Sequence, residues 1–206
     1  NTEGRHGNGT AKIAVENYIK SIEKKIKKRI ITIRAGNVIG GGDWAKYRII
    51  PDIIRSNLNK KELIIRNKQS TRPWQHVFDC LSGYLYLGQL LVESKINSGS
   101  VWNISNIVQK RMNVMQLVEK FKKKINLNKI IFQKDNSLVE THQLQINSNK
   151  IYRLYGWKNT FNLEESIDAT IDWYKNYIKS DKKNFSNSQL NMYFKKAKKK
   201  KLKWIK

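Results

Sequence analysis

Acidic residues are scarce in this chain: 16 Asp and Glu stand against 41 Lys and Arg over 206 residues, a formal charge of +25. Such a balance suits a polyanion partner, because clustered cations release counterions from nucleic acid. The cations are instead scattered over nearly every helical stretch, and Lys, Asn and Ile are over-used throughout. Composition therefore explains the charge, and nucleic acid ranks last among the expected partners. Only the final twelve residues, "KKAKKKKLKWIK", concentrate it, with eight Lys, and a run of like charge is ordinarily a solvated, frayed tail. Trp204 adds one aromatic there, weak support for stacking on a base.

Cysteine is nearly absent. Cys80 alone excludes a disulfide framework and a cysteine metal site, and its setting, "VFDCLSGYLYLG", marks an inert core thiol. His6, His76 and His142 lie too far apart for a metal-binding helix pair. No apolar run approaches bilayer length and no signal peptide is visible, so a soluble, reducing, cytoplasmic setting is expected. The start, "NTEGRHG", is polar and lacks Met, as if the chain began in the middle of something larger.

What is present is alternation. From Thr10, Ala11, Ala14, Val15, Tyr18, Ile19, Ile22 and Ile26 keep helical spacing, closed by the basic "EKKIKKR". "IITIRA" reads as a short buried strand. A helix near "IIPDIIRSNL" follows, with Pro51 tolerable only in its first turn. Strands at "ELIIR", "WQHVF", "SVWNIS" and "KIIFQ" alternate with helices over 78–94 and from "NVMQLVEKFKKKI", where Asn113 is the expected N-cap. Helices near 147–154 and 162–179 close the series. Gly156 stops the first, and Asn162 with Glu165 forms a capping box for the second. This is an α/β pattern, and it reads like the second half of a larger α/β protein.

The stretch "RAGNVIGGGDW" holds four glycines in seven positions after a strand. Its spacing fails the Gly-x-Gly-x-x-Gly dinucleotide fingerprint, and no Gly-Lys-Ser/Thr makes it a P-loop. Taken alone it is a sharp turn that glycine permits.

Taken with "IIPDIIR", "RPWQHVFDCLSGYLYL", "VWNIS", "LYGWK" and "TIDWYKNY", in that order, it resembles the nucleotide-sugar dehydratases of the extended short-chain dehydrogenase/reductase family. "AGNVIGGGDW" and "RPWQHV" point to the subgroup acting on CDP-glucose. The resemblance covers about Gly4 to Tyr193 and implies the C-terminal part of an extended Rossmann-like fold with its smaller substrate-binding lobe. Residues 1–180 then form a partial NAD-dependent epimerase/dehydratase domain, and 181–206 a C-terminal helix and basic tail. It also implies a lyase of deoxysugar and surface-polysaccharide synthesis, with NAD as cofactor and a nucleotide sugar, CDP-glucose, as substrate. The glycine loop becomes a substrate-side loop whose missing side chains let the backbone approach the sugar nucleotide.

By the same resemblance Arg72 binds the diphosphate, its planar fork matching phosphate. Asn37 hydrogen-bonds substrate near the phosphates, and Arg66 lies where the base is approached. Asn113 sits where a phosphate or ribose contact occurs; a plain N-cap is an equal reading, and both can hold at once. Lys12 matches the lysine of the family's Tyr-x-x-x-Lys pair, where four-residue spacing lets the ammonium lower the phenol's pKa. Asn8 stands at the tyrosine position, and an amide cannot take a proton from a hydroxyl at neutral pH. The family's glycine-rich cofactor loop and dehydration acid/base residues lie earlier in its chain, so Lys12 alone remains to orient a nicotinamide ribose.

The expectation is a truncated dehydratase-like chain, keeping mainly the substrate-binding half and without turnover by itself. The rivals are a binding subunit that needs a separate cofactor-bearing N-terminal chain and, last, a basic nucleic-acid-binding protein. A homodimer through the helix over 10–27 is plausible.

Overall fold

The computed structural model describes residues 3–23, 25–26, 28–106, 112–127, 129–133, 146–179 and 185–205, with side chains from residue 10 onward. In chain order the elements are α1 (Glu3–Glu23), β1 (Thr32–Ala35), β2 (Asn37–Ile39), α2 (Ile49–Leu58), β3 (Leu63–Ile65), β4 (Trp74–His76), α3 (Val77–Val92), β5 (Val101–Ile104), α4 (Val114–Lys122), β6 (Ile130–Phe132), α5 (Asn149–Tyr155), α6 (Leu163–Lys179) and α7 (Phe185–Lys199). The local signals work as expected. Asn113 caps α4, Gly156 ends α5 at φ 72°, and Asn162 and Glu165 exchange backbone-to-side-chain bonds of 2.9 Å at the start of α6.

Among the described residues every strand pair is parallel: β1 with β5, β2 with β4, β3 with β6. Parallel pairing needs crossover connections, which the alternating helices supply, and the fold is α/β. Two apolar cores lie beneath. One is built from α2, β3, α4 and α6 around Ile53, Leu117, Phe121 and Ile171. The other joins α3, β5 and α5 around Leu87, Ile104, Ile151 and Trp157. Ile33 of β1 packs on the second core and Ile39 of β2 on the first, so the chain crosses between them at Gly36. It returns at His76–Val77, where β4 runs straight into α3. Glycine is required at the first crossing, since a Cβ there would stand 2.5 Å from the Pro73 carbonyl oxygen and 2.7 Å from Ser105 Oγ.

Three expectations change. β1 is half-buried with Arg34 exposed, because among the described residues it pairs on one edge only, with β5. The helix at the start begins earlier than its apolar spacing suggested, and its Val15 and Tyr18 are exposed. The lysine-rich end does not fray. Ala197 and Leu202 are buried, and Trp204 stacks on Tyr193 at 5.8 Å while its indole N–H donates to the Lys158 carbonyl at 3.0 Å.

Candidate functional site

The two crossings lie side by side, and this gathers the predicted residues. Register pairs Asn37 of β2 with Trp74 of β4, and Arg72 is two residues before Trp74. Thr71 in turn forms an antiparallel bridge with Asn113. Asn37, Arg72 and Asn113 therefore converge at one end of the β2–β4 pair, beside the end of β5, where Gly36 N–H donates to the Ile104 carbonyl at 2.9 Å. Asn37 is exposed and Arg72 half-buried, one guanidinium nitrogen donating to the Thr71 carbonyl at 3.0 Å.

Asn113 is an N-cap: its Oδ1 accepts from Gln116 N–H at 2.8 Å, and its own N–H donates to Gln116 Oε1 at 2.9 Å. The cap occupies the side-chain oxygen and leaves the amide NH2 for a ligand, so both readings of this residue are compatible. The segment from Arg66 to Arg72 is laid along the start of α4, the Lys68 and Ser70 carbonyls accepting from Met115 and Val114 at 3.0 and 3.1 Å. Arg66 itself is exposed, its guanidinium over the Tyr47 ring.

Lys12 stands on α1. Glu23 of that helix faces Gly99, just before β5, while Glu16 holds Arg34 of β1 through a 2.7 Å bond. That ion pair keeps the Glu16 carboxyl below its ordinary pKa. The helix thus runs antiparallel to β1, and Lys12, one turn before Glu16, lies toward the strand end from which Asn37 continues. Asn8 belongs to α1, but its side chain lies outside the described residues.

The glycine loop serves a different purpose from the one expected. A Cβ on Gly41 would fall 2.0 Å from the Trp173 ring and one on Gly40 2.7 Å from Val77 Cγ1. These glycines admit protein, not ligand. The loop is clamped to α6: Trp173 stacks on Tyr177 at 5.0 Å, and Tyr174 Oη donates to the Asp43 carbonyl at 2.6 Å.

Sequence reasoning overlooked a buried polar knot one turn into α3. Asp79 accepts from Thr160 N–H at 2.6 Å, Phe161 N–H at 3.2 Å and Tyr193 Oη at 2.8 Å. Burial pushes its carboxyl up to about 6 against those hydrogen bonds. Tyr193 is held protonated by burial, and its hydroxyl also meets Ser82, which takes the Trp157 indole N–H at 3.2 Å. His76, fully buried, accepts from Phe78 N–H at Nδ1, and burial lowers its pKa to about 4, so it is neutral. Its Nε2 faces Gly40 without a partner among the described residues. The available signal was three polar residues, Gln75, His76 and Asp79, inside an otherwise apolar run.

A cavity lies elsewhere. A groove of about 820 Å³ between α5 and the end of α7 is lined by Arg153, Lys158, Lys200, Lys201 and Lys203. It shares no residue with the Asn37 cluster, and two of its cations are engaged: Lys200 donates to the Thr160 carbonyl at 2.6 Å, and Lys158 lies over the Tyr152 ring. Residue chemistry therefore favours the Asn37 cluster. Among the described residues no group of His, Cys, Asp and Glu is placed to hold a metal, and no helix is long and apolar enough to cross a membrane.

Parallel strands with crossover helices define an α/β protein, a class of fold in which ligands are bound at the ends of the strands. The chain matches the NAD dependent epimerase/dehydratase family over residues 5–105. It is 36% identical over 156 residues to CDP-glucose 4,6-dehydratase of Salmonella typhimurium, spanning 74% of this chain and 43% of that one. It is 26% identical over 195 residues to dTDP-D-glucose 4,6-dehydratase of Dictyostelium discoideum, spanning 81% and 44%. The chain thus spans less than half the length of these relatives. In fold it is similar to UDP-glucuronic acid 4-epimerase from Bacillus cereus, solved with UDP-glucuronic acid and NAD, at TM-score 0.68 and 21% identity over 81% of this chain and 52% of that one. It is also similar to dTDP-glucose 4,6-dehydratase from Bacillus anthracis in complex with NAD, at TM-score 0.64 and 21% identity over 79% and 50%.

NAD is the cofactor of this family. The described residues do not make a site for it by themselves. The glycine loop does not match a dinucleotide cradle in its spacing, and the Cβ positions of Gly41 and Gly40 are filled by Trp173 and Val77.

Proposed function

We propose that this chain binds a nucleotide sugar, CDP-glucose by its likeness to the Salmonella relative, and supplies the substrate-binding part of an NAD-dependent 4,6-dehydratase. Arg72 faces the diphosphate with its guanidinium fork. Asn37 and the Asn113 amide NH2 donate to phosphate or ribose oxygens, and Arg66 lies toward the base. Lys12 orients a nicotinamide ribose. Asn8, at the position of the family's tyrosine, takes no proton from the sugar hydroxyl, so the chain alone does not turn over. One observation carries the reading: the β2–β4 register and the Thr71–Asn113 bridge bring three residues singled out from the sequence to one strand end. Calorimetric titration with CDP-glucose tests it, saturable binding being expected. Turnover is checked separately with CDP-glucose and NAD: no 4-keto-6-deoxy product is expected, and its appearance would overturn the inactive assignment. The reading is of a cytoplasmic protein.

A second reading has the chain completed by a cofactor-bearing α/β unit. The edge of β1 that is unpaired among the described residues supports it, as do the exposed Leu81, Leu85 and Val92, which line up at helical spacing along α3. Val15 and Tyr18 on α1 equally suit a second copy of the chain. Light scattering of the chain alone, then mixed with the missing half of the Salmonella relative, separates homodimer from complementation.

A further inference from the structure

Tyr47 is unusual in three respects. It is 77% exposed, it holds a left-handed backbone at φ 63°, and its ring is backed by the Arg66 guanidinium, 5.1 Å from the centroid. Left-handed backbone is strained for a bulky side chain, and such strain concentrates at ligand sites. Here it is not relieved by burial of the ring.

The surrounding loop is rigid. Asp43 accepts from Ala45 N–H at 3.0 Å and pairs with Arg48 at 3.2 Å, and Arg55 holds the Trp44 and Ala45 carbonyls at 2.6 and 3.0 Å. Trp44, the loop's other aromatic, packs edge-on against Tyr174 at 5.3 Å. Tyr47 is thus held outward on a fixed strap. Its backing residue, Arg66, starts the segment that leads to Arg72.

We propose that Tyr47 is a stacking platform for the base of the bound nucleotide. The base lies on the open face of the ring with Arg66 behind it, giving a guanidinium–phenol–base stack. This rests on the nucleotide-sugar reading above and extends it to a residue that the family resemblance did not mark. A platform of this kind acts on the base and not on the phosphates, which makes it separable.

The test uses the full chain, with CDP and inorganic pyrophosphate as probes, and the variants Tyr47→Gly and Tyr47→Phe. Glycine accepts the left-handed backbone, so Y47G is expected to melt at the same temperature as the parent or higher. Its CDP affinity is expected to fall about tenfold, with pyrophosphate binding unchanged and Y47F close to the parent. Equal CDP affinity in parent and Y47G overturns the proposal, as does an equal loss for pyrophosphate. If the parent binds neither CDP nor pyrophosphate, the nucleotide-sugar reading fails and this proposal with it. CDP binding that ignores Tyr47 sinks the platform alone.

Discussion

The Asp79 knot and the Asn37 cluster sit at opposite ends of one short strand, β4, and use polar groups in contrary ways. At the knot, a carboxylate, a phenol and two backbone amides are turned inward on one another, tying α3 to the start of α6 and to α7. At the cluster, Asn37 and Arg66 face solvent, and Asn113 has one end of its amide left over from capping. The residue with the strongly raised carboxyl pKa is thus part of the framework, and the groups suited to a ligand stand apart from it. A perturbed acid is commonly taken as a sign of a functional site. In this chain that guide leads to the fold's fastening, and the groups proposed to bind are reached by geometry.

The sharpest way to break the contrast is Asp79→Ala, which leaves two backbone amides buried without their acceptor and the Tyr193 phenol with Ser82 but no carboxylate. A loss of about 3 kcal/mol is expected in urea unfolding, together with release of α7 seen as faster amide exchange. Gly41→Ala should follow at about 2 kcal/mol, because the new methyl overlaps the Trp173 ring. A melting temperature unchanged in G41A would mean that the loop is not clamped to α6. Arg72→Ala belongs to the other region: roughly tenfold weaker CDP-glucose binding by calorimetry, with no shift in melting temperature.

The smallest effect is in pH. Asp79, raised to about 6 in the folded chain from 3.8, stabilises fully below 3.8 and loses that contribution as pH rises through 6. His76, lowered to about 4 from 6.5, contributes above 6.5 and loses it as pH falls through 4. The two trends oppose, so stability should be nearly flat between about pH 4 and pH 6, where both groups titrate. Asp79→Asn should unmask a fall on acidification and His76→Gln a rise, both read from melting temperatures across that range. Identical profiles in the two variants would show that neither group titrates as described.

The elements were legible because their signals are local. The apolar spacing of 163–179, the caps at Asn113 and Asn162 and the stop at Gly156 all depend on residues within one turn. The convergence of Asn37 with Arg72 was legible only through family resemblance, since the register that causes it joins strands 37 residues apart. Asp79 was missed because its partners lie 81 to 114 residues away. The glycine loop was misread for a similar reason: nothing near Gly41 announces that an indole from α6 occupies its missing side chain.

Because peptide-to-peptide pairing sets Asn37 of β2 opposite Trp74 of β4, two residues beyond Arg72, that register does not depend on which side chains surround it. A lineage drifting toward lysine and asparagine can rewrite the exterior of such a molecule while the gauge between these two residues stays fixed. Divergence of this kind would blur the surface of the protein long before it altered that spacing.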